Sequence, residues 1–195
     1  MTTTLCFDGI SGTGKSTTGS TLVKELLKTG STALRVLEKE HSPFKETIEN
    51  WYAAGRPSVT VSWVKAIATA RAETFKRVFA KRTEDYLVFD RYIYTSAIYQ
   101  KESGLTPQQI VEINHELGAP ALNHVFFLEC PPELAFDRVM NRDQKFDHYQ
   151  PKLSEFVESH ERFRDLAQSI RDARIVDTSK MNLVDTVNQI QSLLK

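Results

Sequence analysis

The sequence predicts an α/β fold with a parallel sheet, and three observations predict it. Apolar strand candidates at residues 3–7, 32–37, 86–89, 122–128 and 174–177 are separated by stretches of helical periodicity rather than by tight turns. The first strand candidate runs through a glycine-rich turn straight into a helix, the opening half of a parallel crossover unit. Residues 86–89 are dense in apolar side chains, as a central parallel strand covered on both faces requires. At 195 residues the chain suits one well-buried domain and is short for two.

Taken in order, residues 3–7 lead through Asp8 into Gly9-Ile10-Ser11-Gly12-Thr13-Gly14-Lys15-Ser16. Residues 17–27 then place Leu22, Val23, Leu26 and Leu27 at helical spacing, and Gly30 suits the cap at the helix end. The second strand candidate follows. After a break at His41-Ser42-Pro43, Phe44, Ile48, Trp51 and Tyr52 form a helical stripe closed by Gly55-Arg56-Pro57. Ser58 is the expected cap of a helix reaching about Lys81, whose apolar face is broken by Arg71. An arginine there either snorkels from the edge of the core or meets a ligand.

The third strand ends in Asp90-Arg91-Tyr92, and residues 95–100 suit a short helix. Thr106 can cap a helix with Pro107 at its first position, running to Leu117. Pro131-Pro132 closes the fourth strand and opens a helix to about Asn141, with Arg138 and Arg142 four residues apart on one face. Residues 143–151 are polar and hold Lys145, Asp147 and His148, so they read equally as a flap over a phosphate site or as a solvated connection. Residues 154–171 form a charged helix with Phe156, Phe163, Leu166 and Ile170 inward, and residues 183–194 a closing helix.

Lys plus Arg equals Asp plus Glu at 25 each, so no net field holds the chain to nucleic acid or an acidic membrane. The two cysteines, Cys6 and Cys130, fall in or beside strand candidates and read as buried free thiols. No apolar run approaches bilayer-spanning length, and the chain enters its first strand at once. These features predict a soluble, cytoplasmic protein.

The segment from Gly9 to Ser16 matches G-x-x-x-x-G-K-[ST], and its strand and helix flanks are those the pattern needs. Glycines at these places let consecutive backbone N–H groups and the helix N-terminus face an anion, with Gly9, Ser11, Gly12, Thr13, Gly14, Lys15, Ser16 and Thr17 as the candidate ATP-binding residues. Lys15 would lie against the β- and γ-phosphates, and the Ser16 hydroxyl would ligate Mg2+. In an open parallel sheet, ligands bind beyond the carboxyl ends of the strands, so Asp90 and Arg91 are expected to share that crevice.

With these motifs in place, the chain resembles the thymidylate kinases, P-loop nucleoside monophosphate kinases that phosphorylate dTMP. FDGISGTGKSTTG is similar to that family's phosphate loop, and AIATARAETFKRV to its acceptor-site helix, with Arg71 as the arginine. DRYIYTSAIYQ follows the third-strand signature, with Asp90, Arg91, Tyr92, Ser96, Tyr99 and Gln100 in register. HVFFLECPPELAFDRVMNRDQKFDHY resembles the fourth strand, helix and lid, and RIVDTSKMNLVDTV the last strand and the loop beside adenine.

The resemblance implies a five-stranded parallel sheet with helices on both faces, a lid at about 142–152, ATP as donor, Mg2+, and a homodimer. It also implies that Arg91 holds the acceptor phosphate, that Asp90 orients acceptor and metal, that Arg71 reaches the base and that Tyr99 lies against the sugar. The lid-side cations Arg138, Arg142 and Lys145 would supply the catalytic charge. The sequence departs from the family on the acceptor side: Ser11 stands in place of an aspartate, Ile67 in place of a stacking phenylalanine, and HSPFKET in place of an arginine-containing segment. Trp63, one turn before Ile67, is a candidate for the missing ring. The expected reaction is phosphorylation of dTMP. Another nucleoside monophosphate, a modified nucleotide or a nucleoside is the alternative acceptor, and a nucleotide-dependent switch is the alternative outside enzymes.

Overall fold

The computed structural model describes residues 2–142 and 151–194. Five strands, β1 (Thr3–Asp8), β2 (Ala33–Val36), β3 (Tyr86–Asp90), β4 (His124–Glu129) and β5 (Ala173–Asp177), form one sheet in the order β2-β3-β1-β4-β5. Every pairing is parallel. Among the described residues, eight α-helices cross between or follow the strands: α1 (Lys15–Lys28), α2 (Phe44–Ala53), α3 (Val61–Thr74), α4 (Ile93–Tyr99), α5 (Pro107–Glu116), α6 (Pro132–Met140), α7 (Leu153–Ser169) and α8 (Leu183–Leu193).

Alternation along the central strands sends neighbouring side chains to opposite faces. Leu5, Phe7, Val88, Phe126 and Leu128 join Leu22 and Leu26 of α1 and Val187 and Ile190 of α8 in one core. Cys6, Leu87, Phe89, Val125 and Phe127 join residues of α3 to α7 in the other. Fully burying a Phe or Leu contributes about 1.5–3 kcal/mol, so β1, buried from Leu5 to Asp8, is held firmly on both sides. Its carboxyl end is thereby a fixed platform for the loop that follows. A small third cluster, Phe44, Ile67 and Ala70, joins α2 to α3 away from the sheet.

The helix after residue 57 begins later than expected. Thr60, not Ser58, is the cap: its own backbone is extended and its hydroxyl accepts from the Trp63 N–H at 3.3 Å, while Ser58 and Val59 lie outside the helix. Regular α-helix also stops at Thr74, and residues Phe75–Phe79 continue as a π-helical turn. Thr106 does cap α5, in a reciprocal pair with Gln109. Both cysteines are buried and free, and burial pushes each thiol above its usual range. Among the described residues, no helix is long and apolar enough to cross a membrane.

Candidate active site

The turn after β1 is built by backbone rather than by side chains. Gly9 and Gly12 adopt φ of 131° and 89°, and a Cβ there would lie 2.3 Å from the Leu128 carbonyl oxygen and 2.2 Å from that of Ala135. Only glycine lets the loop seat against β4 and α6. Gly14 precedes α1 with no side-chain cap, so the first-turn N–H groups open onto the groove above. Lys15 Nζ lies folded beneath the loop, donating to the Ile10 carbonyl at 2.5 Å and to Thr13 Oγ1 at 3.3 Å. Burial, and then the nearby Arg91 charge, hold its pKa well below the usual lysine range. The Thr178 hydroxyl ties the loop to the sheet by reaching the Thr13 carbonyl at 3.1 Å and the Glu129 carbonyl at 3.0 Å.

Three charged side chains meet this loop from the strand ends. Asp8 accepts from the Tyr92 N–H at 2.9 Å and from the Thr95 hydroxyl. Burial raises its pKa to about 6 against the opposing pull of those hydrogen bonds and of Arg91 and Lys15. Asp90 Oδ2 accepts from Ser16 Oγ at 2.7 Å and from the Arg35 guanidinium. Burial alone would raise the Asp90 pKa, but the Arg35 and Ser16 hydrogen bonds, with the Arg35 charge, leave it below the usual carboxylate range. Arg91 has φ 73°, uncommon for a residue with a side chain, and its N–H donates to the Phe7 carbonyl at 3.0 Å. That turn brings its guanidinium back to the Gly9 carbonyl at 3.3 Å, Thr95 Oγ1 at 3.1 Å and Ser11 Oγ at 3.3 Å.

Ser16 and Asp90 are hard oxygen donors side by side at the loop, which suits Mg2+ carried in by phosphates. Among the described residues no group of three or more His, Cys, Asp or Glu gathers to hold a metal unaided. Mg2+ held by these two side chains would take the rest of its oxygen shell from water and bound ligand.

On the other side of Arg91 lies a cavity of about 430 Å³, walled by Phe44, Ile48, Trp51 and Trp63 and floored by Ile67, Arg71 and Ser96. Tyr99 closes one edge and lies 47% exposed. Trp63 stacks on Trp51 with ring centroids 5.4 Å apart, so one of its faces is taken by helix packing while the side chain still bounds the cavity. Arg71 does not snorkel: it is 2% exposed. Its Nε donates to both Glu38 carboxylate oxygens at 3.0 Å, Nη1 to Asn114 Oδ1 at 2.6 Å and Nη2 to Ser96 Oγ at 3.0 Å. Burial pushes the Glu38 carboxyl above its usual range even with Arg71 against it.

This cavity shares Ser16 and Arg91 with a 370 Å³ groove over Gly12, Gly14, Lys15 and Thr17, bounded by Arg142. The groove continues into a shelf by Thr13, Arg138, Thr178 and Met181. Arg138 also donates to the Gly12 carbonyl at 3.3 Å. The structure thus places Ser11 to Thr17, Asp90, Arg91, Arg138 and Arg142 around one continuous track, with Trp63, Ile67, Arg71, Ser96 and Tyr99 at its far end. Gly9 lies under it through its carbonyl. Lys145 and most of the expected lid, residues 143–150, lie outside the described residues. Sequence reasoning missed Arg35, Glu38, Asn114 and Thr178. Their signals are partnerships across 33 to 165 residues, which no local pattern carries.

Comparison with known proteins agrees with this architecture. A probable thymidylate kinase of Sulfolobus acidocaldarius is 28% identical over 182 residues, covering 90% of this chain and 88% of that protein. One from Thermococcus kodakarensis is 25% identical over 203 residues, covering 98% and 96%. The crystal structure of thymidylate kinase from Ehrlichia chaffeensis shares the fold, with a TM-score of 0.71 over 99% of this chain and 98% of that one at 15% identity. The thymidylate kinase family model matches residues 7–190, which spans the loop, both strand-end charges and the far cavity, and the chain therefore belongs to that family of phosphotransferases.

Proposed function

We propose that the protein transfers the γ-phosphoryl group of ATP to dTMP, giving ADP and dTDP. The observation that carries this reading is the shared wall between groove and cavity: Ser16 and Arg91 border both, so two phosphate-bearing ligands can meet end to end. A phosphate oxygen of dTMP attacks the γ-phosphorus in line, and the bond to the β–γ bridging oxygen breaks as ADP leaves. Little covalent work falls to the protein, so its task is placement and charge.

In this reading the α1 N-terminus and loop amides cradle the donor phosphates, and Lys15 leaves the Ile10 carbonyl to reach them. Arg91 holds the acceptor phosphate, while Arg138 and Arg142 close the donor side and balance charge on the transferring group. Ser16 and Asp90 would hold Mg2+, which would supply positive charge against the donor phosphates. The base enters the apolar cavity against Ile67 and Trp63 with Arg71 at its edge, and Tyr99 borders the sugar. Neutral overall charge and the lack of a spanning helix among the described residues fit a cytoplasmic enzyme, which we take to act as a homodimer.

The test is ADP release with Mg-ATP and a panel of nucleoside monophosphates and nucleosides. Fastest turnover is expected with dTMP. Faster turnover with any other acceptor reassigns the cavity, and ADP release indifferent to acceptors removes the kinase reading.

A further inference from the structure

Two guanidinium groups line the same cavity, and the fold treats them differently. Arg71 is enclosed between the Phe44 ring, 4.9 Å from its Cζ, and the Tyr92 ring at 5.7 Å. Its charge is met at 3.0 Å by the Glu38 carboxylate, itself only 8% exposed. Of its five N–H donors, three are engaged by Glu38, Asn114 and Ser96, which leaves neutral hydrogen-bonding capacity but no free charge. Arg91 is bonded only to uncharged oxygens, and no carboxylate among the described residues lies within 4.0 Å of it. A phosphate drawn toward Arg71 would meet an already balanced pair and the Glu38 carboxylate at short range. At Arg91 it would meet a cation that no carboxylate among the described residues touches, Asp8 and Asp90 acting on it only without direct contact.

We propose that Glu38 determines the polarity of acceptor binding: by neutralising Arg71 it reserves that arginine for the uncharged base and leaves Arg91 as the place where the acceptor phosphate docks. This rests on reading the cavity as the acceptor site. Without the Glu38 charge, Arg71 becomes a second anion site, and an acceptor nucleotide can enter reversed, its phosphate buried and its base toward the groove. Such unproductive binding lowers kcat and KM together, because the wrong complex is tight but idle.

The test titrates inorganic phosphate into the Mg-ADP-saturated protein by calorimetry, alongside steady-state kinetics with dTMP. Glu38→Gln keeps the shape and an oxygen acceptor for Arg71 Nε while removing the charge. It is expected to bind an additional equivalent of phosphate about tenfold or more tighter than any second equivalent on the wild type, with kcat and KM for dTMP reduced by similar factors. The double variant Glu38→Gln/Arg71→Gln is expected to lose the extra phosphate and keep the wild-type one. Unchanged phosphate stoichiometry in a Glu38→Gln protein with a wild-type melting curve overturns the proposal, as does extra phosphate that survives in the double variant. Should the single variant not fold, the double variant decides alone: retention of wild-type phosphate affinity supports docking at Arg91, and its loss overturns it. Failure of the proposed function reads out separately, as absent dTMP turnover in the wild type, whereas the phosphate titration reports on the arginine pair directly.

Discussion

On the donor side, one unbroken stretch from Gly9 to Thr18 makes the loop, the helix start and the cation beneath it, and its shape comes from backbone that only glycine can follow. The cavity proposed for the acceptor instead gathers Glu38, Phe44, Trp63, Arg71 and Ser96 from separate segments, held by aromatic packing and one buried ion pair. The difference teaches where each half is fragile. A donor-side change acts on a preorganised anion site and registers in turnover; loss of apolar packing in the cavity registers in affinity, and only a change at its buried ion pair reaches turnover as well.

The sharpest way to break this contrast is Lys15→Met, expected to lower turnover by about 10^4-fold while leaving the fold intact, as checked by single-turnover kinetics and circular dichroism. Residual turnover near wild type would mean that Lys15 stays against the Ile10 carbonyl throughout the reaction. Arg142→Ala comes next, with a loss on the order of 10^3-fold in kcat and a much smaller change in ATP affinity. Equal effects on both quantities would make Arg142 a binding residue only.

Asp8 lies at the seam of the two halves and gives a pH-dependent handle. Its folded pKa, about 6, lies above the unfolded carboxylate value of 3.8, so the folded state holds the proton more tightly. Protonation at Asp8 therefore adds stability as pH falls through about 6 toward 3.8, and ionisation withdraws that stability above about 6. Asp8→Asn removes this dependence. Denaturant unfolding should show the variant gaining on the wild type as pH rises from about 3.8 to about 6, by no more than about 3 kcal/mol. A gap that does not change with pH would place Asp8 outside the titrating set. On the acceptor side, Trp63→Ala is expected to raise the KM for dTMP about tenfold and to leave the KM for ATP alone, since stacking on a base is worth about 1–3 kcal/mol.

What could be read ahead of the structure follows the same division. The donor loop is local, so its pattern and flanks identify it; the five strands announce themselves by apolar density, with ends displaced by a residue or two because neighbouring strands set where pairing stops. Thr60 rather than Ser58 caps α3 for a similarly local reason that composition alone cannot resolve. Arg71 stood out as a charge in an apolar stripe, but the choice between edge and ligand omitted a third state, a charge buried against Glu38 from 33 residues away. Arg35 was equally silent: it reads as an ordinary strand residue until β2 pairs with β3 and brings it to Asp90.

The smallest expected effect concerns Arg91 itself, whose backbone sits at φ 73°. A side chain there costs about 1–2 kcal/mol that glycine avoids. Arg91→Gly should accordingly unfold at higher denaturant than Arg91→Ala, by about 1 kcal/mol, inverting the usual ranking of those two replacements; the usual ranking would show the turn relaxing once the guanidinium is gone. If Arg91 holds the acceptor phosphate as proposed, fold and chemistry ask for different residues at this one position: glycine would ease the turn and give up the phosphate contact.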